Sequence, residues 1–144
     1  MDYSNIDSVI DTMFSVISGP AGAPRDWERL RSLYHPEARL MVAPNAGGEA
    51  LPLRVMNVEE FIERVDAIFQ KESFWEREVK RETEYFGRIA QVMCEYESFH
   101  EEHGKPFTSG RKSMHLFNDG TRWWIVSIYW QQEAPEHPVP EKYV

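Results

Sequence analysis

The chain of 144 residues is short of several things. It has one cysteine, Cys94, so no disulfide can close within it, which fits a reducing compartment. It has no apolar run near the roughly 18 residues that span a bilayer. Its N-terminus lacks the basic segment and apolar stretch of an export signal. Positive charge is also scarce: 16 Lys and Arg stand against 24 Asp and Glu, a net charge of −8. That field repels polyanions and argues against a nucleic-acid partner. No polybasic patch is present to hold an anionic membrane. Internal repeats and low-complexity tracts are missing as well. Taken together, these features predict a cytoplasmic protein with neither nucleic acid nor membrane as partner.

What is present suits a single domain over residues 1–144, long enough to bury a core without staples. Aromatic residues make up 13% of the chain, including five tryptophans, a density that favours a deep core, a pocket or an interface. Ile6, Val9, Ile10, Met13, Phe14 and Ile17 recur at helical spacing and predict an amphipathic helix over 4–18, capped by Ser4 or Asn5. Gly19-Pro20 ends it. Asp26 is placed to cap a shorter helix bearing Trp27, Leu30, Leu33 and Tyr34, which Pro36 stops. Residues 38–44 read as a strand, and 45–52, with Gly47-Gly48, as a mobile loop. Asn57 and Glu60 form a capping-box pattern at the head of a third helix that ends near Lys71, with Met56 and Phe61 as its hydrophobic staple.

Strands follow. Residues 74–86 alternate with one charged face. Residues 88–102, 108–118 and 122–133 continue an antiparallel meander, with turns at Phe86-Gly87-Arg88 and Asn118-Asp119-Gly120. Trp123 and Trp124 are expected to point to opposite faces. Three prolines make the tail, 133–144, an extended segment. Helices first and a long meander afterwards predict an α+β fold: a strongly bent, mostly antiparallel sheet wrapped around three helices from the N-terminal half, with a pocket between. The sheet carries apolar residues on both sides, so a homodimer through its outer face is expected.

The run Leu33-Tyr-His-Pro-Glu-Ala-Arg-Leu40 after two helices resembles the helix–turn–strand entry of the nuclear transport factor 2-like superfamily. Glu84-Tyr-Phe-Gly-Arg-Ile-Ala90, Tyr96-Glu-Ser98 and Asp119-Gly-Thr-Arg-Trp-Trp-Ile-Val-Ser127 are similar to its bacterial SnoaL-like branch, many of whose members have no assigned function. The resemblance covers essentially the whole chain. It implies a cone-shaped barrel with a cavity at the open end, commonly in a dimer. The superfamily also holds enzymes, among them ketosteroid isomerase and scytalone dehydratase. The isomerase uses an Asp base and two hydrogen-bond donors. In this chain those three positions fall near Ala43, near Met13 or Phe14, and near Ser113, and none can do that proton chemistry.

The candidates for the cavity wall are Tyr96, His100, Arg111, Ser113, His115, Trp130 and Gln132, with Arg77 and Arg81 as further possibilities. Such a pocket would suit a small carbonyl or carboxylate compound. His115 or Tyr96 would be its acid–base group. The plainer reading is favoured: Arg77 and Arg81 pair with glutamates, and His115 is a satisfied strand histidine. His100-Glu-Glu-His103 does not make a metal site, because its histidines are three apart in a loop and lack a third ligand. Cys94 reads as a small core residue. No metal and no cofactor is expected. The leading functional expectation is a small-molecule-binding domain. The alternatives are a cofactor-free lyase or isomerase acting on a small carbonyl compound, and a protein–protein interaction module.

Overall fold

The structure is a computed structural model that describes residues 1–44 and 51–134. Residues 45–50 of the expected loop and 135–144 of the expected tail lie outside the described residues. In chain order come α1 (Ile6–Val16), α2 (Trp27–Leu33), β1 (Tyr34–Val42), β2 (Arg54–Met56), α3 (Val58–Phe69), β3 (Trp75–Phe86), β4 (Ile89–Phe99), β5 (Pro106–Asn118) and β6 (Trp123–Gln132). The strands make one six-stranded sheet in the order β2-β1-β6-β5-β4-β3. Among the described residues the β1–β6 pair is parallel and the other strand pairs are antiparallel. The fold is α+β, an open, curved sheet with three helices.

The helix starts follow the local chemistry. Asn5 caps α1 by accepting from the Ser8 amide, and Asp26 caps α2 by accepting from the Arg29 amide. At α3 both halves of the capping box form: Asn57 accepts from the Glu60 amide, and Glu60 accepts from the Asn57 amide. Ile6, Val9, Ile10, Met13 and Phe14 of α1 are buried, as their spacing requires. They join Leu30 and Leu33 of α2 against Val92, Met114, Leu116, Ile125 and Ile128 of the sheet.

Several expectations change. Tyr34 is not helical; it opens β1 and is buried. β1 therefore leaves α2 directly, with a bulge between Tyr34 and Arg39 that takes up Pro36. The short edge strand β2 was not foreseen, and α3 stops at Phe69.

Two further bulges reset the strand faces. In β3 Glu78 pairs with Tyr96 and Lys80 with Glu95, so Val79 is the extra residue and the alternation changes phase there. In β6 Ile125 pairs with Leu116 and Ser127 with His115, so Val126 is extra. Trp123 thus turns into the core, while Trp124 turns outward over the Arg122 guanidinium at 3.5 Å.

Where β4, β5 and β6 meet, Gly110 lies opposite both Tyr96 and Gln132. A β-carbon there would come within 2.4 Å of the Gln131 carbonyl oxygen and 2.6 Å of the Tyr96 hydroxyl. The glycine is needed for space, since the Tyr96 ring lies across its backbone. Gly110→Ala should lower the unfolding free energy by about 1–3 kcal/mol, the usual cost of overpacking. Urea titration checks this, and an unchanged midpoint would contradict the close approach.

Candidate functional site

Residues that face one another across an antiparallel pair share a side of the sheet. Tyr96 faces Gly110, Cys94 faces Lys112 and Val92 faces Met114. Lys112 in turn faces Trp130, and Met114 faces Ile128. The inner row of β5 is therefore Gly110, Lys112, Met114 and Leu116, not the row of Arg111, Ser113 and His115.

These inner faces, with α1 and α3, enclose a cavity of about 470 Å³. Its deep end is lined by buried side chains, among them Met13, Leu30, Tyr34, Leu40, Tyr96 and Ile128. Phe61, Val65 and Phe69 of α3 form one wall, with Phe74 and Trp130 near them; the Phe61 and Trp130 rings meet edge to face at 6.0 Å. Arg64, Ile68, Glu72, His100, Phe107 and Gln132 line it where the chain is exposed, which marks the mouth.

Two charges lie inside. The Lys112 ammonium contacts the Glu76 carboxylate, and both side chains are less than a tenth exposed. Three rings surround the ammonium: Tyr96 at 4.8 Å, Phe14 at 5.3 Å and Trp130 at 5.6 Å from nitrogen to ring centre. On the carboxylate side, the Ser98 hydroxyl donates to Glu76 Oε2 at 3.5 Å, and the Glu76 amide donates to Ser18 Oγ at 3.0 Å. Burial, helped by the Glu76 carboxylate, holds the Tyr34 and Tyr96 phenols well above the usual tyrosine range. Both therefore keep their protons near neutral pH, so Tyr96 can donate a hydrogen bond but is not a phenolate base. Burial also pushes the Cys94 thiol up to about 12, against the lowering pull of Lys112.

The seven expected wall residues divide. Tyr96, His100, Trp130 and Gln132 line the cavity. His100 does so at the mouth, stacked on Phe107 at 3.8 Å between ring centres. Arg111, Ser113 and His115 lie on the opposite face of the sheet. Arg111 stands across from Glu95 and Gln131, and Ser113 from Met93 and Tyr129. His115 is exposed, with Nδ1 3.0 Å from the Ser127 hydroxyl, and so is no acid–base group for this cavity. The error came from the β4–β5 hairpin: its loop and the register shift between Ser98 and Phe99 set which β5 row meets Tyr96.

Arg81 is held by Glu78, Asp7 and Asp11 at 2.7, 2.5 and 2.7 Å, tying β3 to α1. The Arg77 guanidinium lies over the Phe99 ring at 4.6 Å. Lys112, Glu76, Ser98 and Thr108 were missed as wall residues. A lone lysine in the same alternating row as Met114 and Leu116 was the available signal for Lys112. Among the described residues no group of three or more His, Cys, Asp or Glu is placed to hold a metal ion. Nor is any helix among them long and apolar enough to cross a membrane.

No protein-family model and no curated protein matches the chain. Solved structures do. A Salmonella enterica protein of the nuclear transport factor 2-like superfamily superposes with a TM-score of 0.66 at 16% identity, covering 94% of this chain and 93% of its own. This chain has the nuclear transport factor 2-like fold. A Nostoc punctiforme protein of unknown function, described as having a cystatin-like fold, gives a TM-score of 0.69 at 10% identity, over 97% of this chain and 100% of its own. A Novosphingobium aromaticivorans protein described as a candidate scytalone dehydratase gives 0.66 at 10% identity, over 90% of this chain and 82% of its own. Identities this low carry the nuclear transport factor 2-like architecture alone; the cavity of this cone has to be read from its own residues.

A buried pair stripped of one partner leaves an uncompensated charge. Lys112→Met should therefore destabilise the protein by about 3–5 kcal/mol, whereas Lys112→Met combined with Glu76→Leu should recover most of that loss. Chemical denaturation of the two variants measures both, and a neutral single variant would contradict a contact sealed from water.

Proposed function

We propose that this chain is a SnoaL-like protein that binds a small, flat, uncharged organic molecule in the cavity of its cone. The observation that carries this reading is the Glu76–Lys112 contact at the inner end of an aromatic-walled cavity. A volume of about 470 Å³ is in the range of small-molecule sites, and the walls offer ring faces to an apolar body. The two buried charges neutralise one another. A carboxylate ligand would have to take Lys112 from Glu76, and a cation would have to take Glu76 from Lys112; either move strands a buried charge. A carbonyl or hydroxyl oxygen can instead accept from the ammonium while the pair stays intact, and a hydroxyl can also donate to the carboxylate. Tyr96, with its proton retained, is a further donor.

The fluorescence of Trp130 should report binding, because its ring lines the site. Neutral aromatic alcohols and ketones should quench it at lower concentration than the matching carboxylates. Ile68, exposed at the mouth, offers a block that leaves the core untouched. Ile68→Trp should weaken quenching about tenfold or more, since it fills the entrance. Equal response to acids and neutral analogues, or full binding by the blocked variant, would sink the reading.

The outer sheet face supports an additional part of the proposal, a homodimer. Ile89 and Tyr129 are about half exposed there, and Phe86 is largely so. They lie on the surface opposite the cavity, so pairing through it would leave the mouth open. Light scattering should give twice the chain mass, falling to one chain with Ile89→Lys and Tyr129→Lys together; a wild-type monomer would remove this part.

A further inference from the structure

We infer that Lys112 forms a reversible covalent imine with aldehydes that enter the cavity. This rests on the cavity-binding reading above and goes beyond it, from occupancy to chemistry.

Three features of the site bear on it. Among the described residues Lys112 is the lysine that lines the cavity; Lys71, Lys80 and Lys105 are exposed on the surface. Its ammonium lies among the Tyr96, Phe14 and Trp130 rings, and Tyr96 and Trp130 line the cavity, so an aromatic aldehyde resting on those two walls would bring its carbonyl carbon to the nitrogen. Most important, the group that must take the proton is already in contact. An ammonium is not a nucleophile until it gives up a proton, and the Glu76 carboxylate touches Lys112 Nζ. Transfer within the pair leaves an amine and a carboxylic acid and needs no charge from outside.

The step balances. The Lys112 nitrogen lone pair forms a bond to the carbonyl carbon, the C=O π pair moves to oxygen, and proton transfer gives a neutral carbinolamine. Glu76, as the acid, protonates its hydroxyl. The C–O bond breaks, water leaves, and the nitrogen lone pair closes the C=N bond. The product is a protonated imine facing the Glu76 carboxylate, so the charge pair present at the start is present again. Ammonium and aldehyde have become iminium and water, with no oxidant or reductant consumed. Water addition reverses the sequence.

Benzaldehyde with sodium cyanoborohydride tests this, because the hydride converts the imine to a stable benzyl amine that peptide mass spectrometry locates. Lys112 should be labelled about tenfold or more faster than Lys71, Lys80 and Lys105, since the site holds the aldehyde beside it. Glu76→Gln should slow labelling of Lys112 by about a hundredfold, as loss of a general acid–base group does. Lys112→Arg keeps a cation opposite Glu76 but cannot form an imine; with folding verified by near-ultraviolet circular dichroism, it should show no label in the peptide around position 112. Labelling of Lys112 no faster than that of the surface lysines overturns the proposal. Benzyl alcohol, which binds without reacting, separates the causes. If it still quenches Trp130, the imine alone is wrong; if it does not, the binding reading has failed too.

Discussion

Glu76 and Lys112 stand on strands that are not neighbours. β4 lies between β3 and β5, so those strands run about 10 Å apart, and the two residues are also offset along them: Glu76 is in register with Ser98 and Thr108, Lys112 with Cys94 and Arg81. Their side chains bridge that gap over the inner surface, and the bend of the sheet brings inward-pointing groups toward one another. Once the two are buried, neither can be exposed or deleted alone without leaving a charge in a low-dielectric interior. The pair thereby constrains its surroundings. Glu76 must lie inward on β3, which sets the row before the Val79 bulge, and Lys112 must lie inward on β5, which turns His115 out.

The same pair sets the character of the cavity. Around it are hydrocarbon and ring faces, two phenols that keep their protons, and a buried thiol raised far from reactivity. At the positions that the resemblance matches to the isomerase's donors, Ser113 faces away from the cavity and Met13 and Phe14 supply no donor. The fold is shared with solved structures at 16% and 10% identity.

Helices and their starts were legible because their causes are local. Asn5, Asp26 and the Asn57–Glu60 box are each satisfied within one turn, and the apolar spacing of α1 needs no information from the rest of the chain. On β4 the side carrying Tyr96 was read correctly as a single row. Transferring that row to β5 failed. Alternation says which residues share a face within a strand, but a loop decides which of two rows meets the neighbour. Alternation alone thus keeps Arg111, Ser113 and His115 on one face and Lys112 on the other, without saying which face meets Tyr96.

The bulges at Val79 and Val126 add a second reason. Each inserts one residue and reverses the phase of everything beyond it, so Trp123 and Trp130 both face inward although they are an odd number of positions apart. By itself the sequence determined the α+β order, the caps of α2 and α3 and the presence of enough aromatic surface to line a pocket, since these depend on contacts a few residues apart. Only the tertiary structure decided that Lys112 and Glu76, 36 positions apart on strands separated by a third, share one cavity. That meeting depends on two strand registers and the bend of the sheet, which long-range packing sets and short-range spacing does not.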